Sequence, residues 1–108
     1  MKKSSADYYF RRIYRLLSSD KVPIILKKIR GTRGQTDHKI IWLNPQENIL
    51  PTLIHECLHI LYPNWNESKV YKYEAQIFNQ LTPRQIKKLL LRVALIVNKI
   101  KQTNKKAD

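Results

Sequence analysis

The spacing of hydrophobic residues in the first half of the chain predicts one helix followed by two strands. From Ala6 to Leu17, apolar side chains recur every three or four residues with arginines between them, which is typical of an amphipathic helix. Val22 to Ile29 is rich in Ile and Val and leads into a turn that holds both glycines; His38 to Leu43 follows as a second strand. The two strands predict an antiparallel pair, with room for one more short strand.

Two closely spaced helices are predicted next. The first begins between Gln46 and Thr52 and ends at Leu61. A short breaker at 63–66 separates it from the second helix, which ends near Thr82. A connection this short makes a helical hairpin. The whole pattern predicts an α+β fold in which a small antiparallel sheet packs on a helical layer.

A last helix is predicted from Pro83 to about Ile100, because proline fits the first helical position and Thr82 can cap it. The tail from Lys101 to Asp108 is expected to be frayed. The apolar face of this helix is wider than a surface helix needs, so it completes the core, covers another part of the chain or exchanges with a second copy. Residues 82–108 are therefore a candidate latency or oligomerisation segment. The apolar residues of this face are Leu89, Leu90, Leu91, Val93, Ala94, Leu95, Ile96 and Val97.

Length and composition favour a single soluble domain over residues 1–108. With 108 residues and 43% hydrophobic content, the chain can form one core and has little left for a second module. The longest apolar run, Leu89 to Val97, is too short to span a bilayer, so no transmembrane segment is expected. The single cysteine, Cys57, cannot form an internal disulfide, which favours a cytoplasmic location.

The chain is strongly basic, with a formal net charge of +13 from 21 Lys and Arg against 8 Asp and Glu. Such a charge would attract nucleic acid without sequence preference, an anionic membrane surface or an acidic polypeptide. A solubilising charged surface would look the same in the sequence. The charge alone therefore selects no function.

The chemistry is concentrated in the motif His55-Glu56-Cys57-Leu58-His59. Histidines four apart on a helix lie on one face, one turn from each other, so both imidazoles can reach one zinc ion. Glu56, on the adjoining face, can accept a proton from a metal-activated water and pass it to a leaving amine. Cys57 and Leu58 are expected to face the core. The motif predicts one Zn²⁺ per chain and metal-assisted hydrolysis, although a pattern of five residues also arises by chance.

A catalytic zinc usually has a third protein ligand, and the residues leave two candidates for it. Glu67 lies just beyond the predicted turn of the hairpin, and Glu74 lies two helical turns further on. Each also has a structural interpretation: Glu67 could form a capping box with Asn64, and Glu74 could be a partly buried acid paired with a lysine. His38 lies in a polar turn at the start of a strand, which favours a carboxylate over it. Cys57 would point away from both histidines.

The order of strand, His-Glu-x-x-His helix, short turn and glutamate-bearing helix resembles the gluzincin metallopeptidases, and the size resembles the minigluzincins. The resemblance covers about residues 38–82 and includes the motif, Pro63, Glu67 and Val70. It implies Glu67 as the third zinc ligand, with Glu74 as second choice. It further implies an edge strand along the substrate cleft, at Ile40, Ile41 and Trp42, and a latent zymogen whose segment from about Thr82 covers the site.

We therefore expect a zinc-dependent peptidase, an endopeptidase or its latent form, acting on a polypeptide substrate. Tyr62, Tyr71 and Tyr73 are close enough in sequence to stabilise an oxyanion, and the sequence does not choose among them. The alternative is a basic nucleic-acid-binding or DNA-associated protein with a structural or vestigial zinc site. A metal-binding interaction partner, such as an antitoxin-like protein, is the third interpretation.

Overall fold

The computed structural model describes residues 3–26, 34–36, 40–45 and 48–107, and side chains in 5–26, 40–45 and 48–98. The described residues form four helices and a three-stranded sheet, so the predicted α+β class is confirmed. In chain order the elements are α1 (Lys3–Ser18), β1 (Ile24–Leu26), β2 (Gly34–Thr36), β3 (Ile41–Leu43), α2 (Ile49–Leu61), α3 (Glu67–Gln80) and α4 (Pro83–Ala107).

Strand β3 lies in the middle of the sheet, with β1 on one side and β2 on the other. It pairs in parallel with β1, where Ile24 is opposite Ile41, and antiparallel with β2, where Gly34 is opposite Leu43. The expectation that β1 and β3 form an antiparallel pair is therefore wrong. The reason is that β2, which lies between them in the sequence, runs against both, so the chain reverses direction twice instead of once.

Helix α1 shows the predicted amphipathic pattern. Ala6, Ile13 and Leu17 are buried at helical spacing, while the arginines between them are exposed. The helix ends at Ser18, and Asp20 follows with a φ of 61°, in the left-handed region that Asp tolerates better than most residues.

Helix α2 is the central element of the fold. It contacts α1, α3, α4, β2 and β3, and every residue from Leu50 to Leu58 is buried. Leu53, Ile54 and Leu58 are fully enclosed, which explains why this helix has the most apolar sequence of the four. Polar side chains on such a helix lose their water and need protein or ligand partners.

The turn between α2 and α3 is fixed by local hydrogen bonds. The Tyr62 backbone N–H donates to the Leu58 carbonyl at 2.8 Å, and the Asn66 side chain accepts from the Lys69 backbone N–H at 2.8 Å. Asn66 is thus the N-cap of α3, and the alternative capping box between Asn64 and Glu67 is wrong. Glu67 is instead the first residue of α3, and its side chain is left for other contacts.

Helix α4 packs against α1 and β1 through Leu89, Val93 and Ile96, which are buried. Thr82 caps it as predicted: its hydroxyl accepts from the Gln85 backbone N–H at 3.2 Å. The helix continues to Ala107, seven residues beyond its predicted end near Ile100. Among the described residues, α4 makes no contact with α3.

The outer face of α4 keeps part of the apolar surface that the sequence predicts. Leu90, Leu91 and Leu95 are 44%, 55% and 59% exposed. The core therefore uses only one side of this helix. No helix in the described part of the chain is long and apolar enough to cross a membrane.

Candidate metal centre

His55 and His59 lie one turn apart on α2 and face the same way. Their ring centroids are 4.8 Å apart and their Nε2 atoms 3.2 Å apart. His55 is buried, whereas the side chain of His59 is 25% exposed. The helical spacing therefore brings two imidazole nitrogens together at a point where the interior meets solvent.

Glu67 completes this group from the start of α3. Its Oε1 lies 2.6 Å from His55 Nε2, and its Oε2 lies 3.0 Å from His59 Nε2. One ligand atom from each of the three residues lies within 4.8 Å of the others, and no further cluster of this kind occurs in the described parts of the chain. The donor set of two imidazoles and one carboxylate suits zinc and other divalent transition metals, so the group could hold a metal ion.

Glu74 contacts the other nitrogen of the His55 ring. Its Oε1 lies 2.8 Å from His55 Nδ1, and its side chain is 10% exposed. If Nδ1 carries the proton and donates it to Glu74, Nε2 keeps its lone pair for the side where Glu67 and His59 lie. The two glutamates thus have different contacts in the structure. Glu67 contacts Nε2 of both histidines, and Glu74 contacts Nδ1 of His55.

The electrostatics of Glu67 favour its ionised form. Partial desolvation raises the pKa of this carboxyl, but the charge of His55 and the hydrogen bonds of both histidines outweigh it, and the net pKa is lowered. A carboxylate must be ionised to bind a metal strongly. Glu67 is therefore in the required form well below neutral pH.

Glu56 and Cys57 follow His55 in the buried part of α2. Glu56 is 6% exposed, and Cys57 is fully enclosed in the core. Burial, and then the nearby charge of Glu56, raises the pKa of the Cys57 thiol. A thiol held neutral among apolar side chains is not a metal ligand, in agreement with the expectation that Cys57 faces the core.

The structure separates the three tyrosines that the sequence left equivalent. The ring of Tyr71 lies 4.5 Å from that of His55, and Tyr71 is 50% exposed. Tyr62 and Tyr73 instead pack with Trp65 in an aromatic group. Tyr71 lies four residues, about one helical turn, after Glu67, and this spacing was the sequence signal that could have identified it.

Strand β3 does not have the place that the resemblance implies. It is the central strand, paired on both sides, so the expectation of an edge strand along the cleft is wrong. Ile41 is 0% exposed and faces the core, so it has no surface open to a substrate in this structure. Ile40 and Trp42 are partly exposed, and their role in substrate binding stays a prediction. His38 lies outside the described residues.

A scan against protein-family models, a search of curated proteins and a search of solved structures each found no match for this chain. The resemblance to the minigluzincins therefore depends on the motif residues of 38–82 alone.

Proposed function

We propose that this protein is a zinc-dependent peptidase, cutting within polypeptide chains, with its active site at His55, His59 and Glu67. The observation that carries the proposal is the convergence of both histidine Nε2 atoms on the two oxygens of the Glu67 carboxylate. Three protein ligands of types N, N and O, with a position left for water or substrate, are the pattern of catalytic zinc.

The open side of the cluster argues against a purely structural zinc. Structural zinc sites are usually closed by four protein ligands. Here the described residues supply three, and the Glu67 side chain is 57% exposed. A substrate could reach this side without disturbing the core, which favours catalysis over the alternative of a nucleic-acid-binding protein with a structural or vestigial zinc.

Glu56 would carry the proton transfers of the reaction. When bound, zinc would lower the pKa of a water molecule and polarise the peptide carbonyl. Glu56 would take one proton from the attacking water and deliver it to the leaving amine nitrogen as the C–N bond breaks. Glu56 directly follows His55 on the buried helix α2, which supports this role.

Two further residues would assist without binding the metal. Glu74 would hold the His55 ring with Nε2 facing the ion, through its contact with Nδ1. Tyr71, exposed by half next to His55, would donate a hydrogen bond to the oxygen that becomes negative in the transition state. Together they would supply the orientation and the charge stabilisation that a three-ligand site needs.

The proposal is tested with protein purified without chelators. We expect about one zinc per chain by elemental analysis, and cleavage of casein or of an internally quenched peptide that stops with 1,10-phenanthroline and returns with added zinc. The variant Leu91→Gln/Leu95→Gln, at two exposed leucines of α4, is assayed in parallel, because a form held latent through that face would hide activity. Zinc at full stoichiometry with no cleavage by either form would contradict the peptidase and leave the metal centre intact.

A further inference from the structure

A second cluster, separate from the metal centre, combines aromatic rings with positive charges. The guanidinium carbon of Arg12 lies 5.6 Å from the ring centroid of Tyr8 and 5.4 Å from that of Tyr62. The ammonium of Lys69 lies 4.4 Å from the ring centroid of Trp65 and 5.9 Å from that of Tyr73. We call these six residues the cation–aromatic surface.

This surface is continuous from α1 to α3. The rings of Tyr62 and Trp65 are stacked, with centroids 4.3 Å apart and planes inclined by 10°. Trp65 also contacts Tyr73, and Tyr9 packs edge-on against several of these rings beneath the surface. Tyr8 is 52% exposed at the α1 end, so its ring is open to a ligand.

Arg12 and Lys69 are held in place by contacts with aromatic rings. Neither forms an ion pair with a carboxylate in the described part of the chain, and Arg12 also donates to the Tyr8 hydroxyl at 3.3 Å. Cation–aromatic contacts restrict both side chains, so binding an anion costs less conformational entropy. Arg11 and Arg15, exposed on the same helix, add positive charge nearby.

We propose that the cation–aromatic surface binds single-stranded nucleic acid without sequence preference. Phosphates would lie at Arg12 and Lys69, and a base would stack on the exposed ring of Tyr8. An acidic polypeptide would match the charges but would not use the ring, and a duplex keeps its base faces covered. Residues of the metal centre take no part, so the proposal stands apart from the peptidase.

The first test measures the salt dependence of binding. The full chain is titrated against a labelled oligothymidylate of about 16 nucleotides, followed by fluorescence anisotropy. The double variant Arg12→Gln/Lys69→Gln should bind more weakly, and the slope of log K against log salt should fall by about 1.4. Its control, Arg84→Gln/Lys88→Gln, removes the same two residue types from exposed positions on α4 and should keep the slope.

The second test measures stacking. Tyr8→Ala should weaken oligothymidylate binding about fivefold or more, whereas Tyr14→Ala, a 37% exposed tyrosine elsewhere on α1, should change it less than about twofold. Thermal unfolding checks that each variant is folded. If Arg12→Gln/Lys69→Gln is not folded, the comparison of Tyr8→Ala with Tyr14→Ala tests the proposal instead. Any one of four results would overturn the proposal. These are no binding of oligothymidylate, an equal loss of affinity in the two charge variants, an equal loss of affinity in the two tyrosine variants, or equal affinity for a duplex. If polyglutamate displaces the oligothymidylate, and the same substitutions weaken the binding of polyglutamate, the surface would be assigned to an acidic polypeptide instead.

Discussion

Glu74 Oε1 lies within hydrogen-bond distance of His55 Nδ1, at 2.8 Å, although the two residues lie on different helices, 19 positions apart. The contact is buried, and it defines which nitrogen of His55 faces Glu67 and His59. It also explains how two glutamates that look interchangeable in the sequence can differ in function. One contacts both histidines at Nε2, and the other orients a single ring.

The two glutamates should therefore differ in their effect on zinc affinity. Glu67→Ala removes a proposed ligand, while Glu74→Ala leaves all three and should weaken zinc about 10- to 100-fold, the range typical of outer carboxylates. Affinity is measured by competition with a coloured chelator. Glu74→Gln, which keeps an acceptor oxygen of similar size, should fall between Glu74→Ala and the unchanged protein. A larger loss from Glu74→Ala than from Glu67→Ala would reverse the assignment.

The histidines of α2 should determine metal stoichiometry. His55→Ala and His59→Ala each leave too few ligands, so each variant should lose most of the zinc found by elemental analysis. His38→Ala is the matched control, because it removes the third histidine of the chain and should retain the metal. Full stoichiometry in both α2 variants would refute the metal centre.

Substitution of Glu56 should abolish peptide hydrolysis without affecting zinc binding. In Glu56→Gln the side chain keeps its size but cannot take a proton, so peptide hydrolysis should stop while zinc stays bound. Removing a positioned general base typically costs about 10² to 10⁴ in rate. The measurement pairs elemental analysis with the quenched-peptide assay. Loss of zinc from this variant would make Glu56 a ligand and would require a different mechanism.

The exposed leucines of α4 should mediate self-association, which would hold the full chain in a latent form. Light scattering should show a mass above that of a monomer, and Leu91→Gln/Leu95→Gln should lower it; Leu26→Gln, at an exposed leucine of β1, should not. Leu91→Gln/Leu95→Gln should therefore also be the more active form. Ending the chain at Leu81 would remove the buried Leu89, Val93 and Ile96 and should prevent folding. A full chain that is an active monomer would exclude latency.

Cys57 should lower stability at alkaline pH. Because burial raises its pKa, the folded state keeps the thiol neutral while the unfolded chain ionises above about pH 9, so the stabilisation is present below that pH and is lost above it. The free energy of unfolding should fall by up to about 1.4 kcal/mol per pH unit more than in Cys57→Ala. Urea titrations from pH 7 to pH 10.5 give the free energy of unfolding of both proteins at each pH. If the two curves against pH are parallel, the Cys57 thiol is exposed to solvent in the folded state.

Much of the helical framework follows from the sequence, because helix periodicity and capping are local. The apolar spacing of α1, the pairing of Thr82 with Gln85 and the common face of His55 and His59 all depend on residues within two turns of each other. For the same reason the structure reproduces the existence and order of all four predicted helices.

The remaining features depend on contacts between distant segments. The parallel pairing of β1 with β3 depends on β2, whose residues Gly34, Gln35 and Thr36 carry no hydrophobic alternation that would predict a strand. The different places of Glu67 and Glu74 depend on the orientation of one imidazole ring. The cation–aromatic surface brings Arg12 and Lys69 together from helices far apart in the sequence, so charge patterning alone does not reveal it.

If the site holds zinc, the position of Glu67 as the first residue of α3 would link the abundance of the protein in a cell to the supply of that metal. An ion shared by the middle of α2 and the first turn of α3 would tie the hairpin together. At free zinc a thousandfold above Kd, it would stabilise the folded state by about 4 kcal/mol. Under zinc starvation the same hairpin would open more often and expose its backbone to cleavage. A zinc peptidase built in this way would be removed by the proteases around it, its own copies included, whenever the metal it needs is scarce.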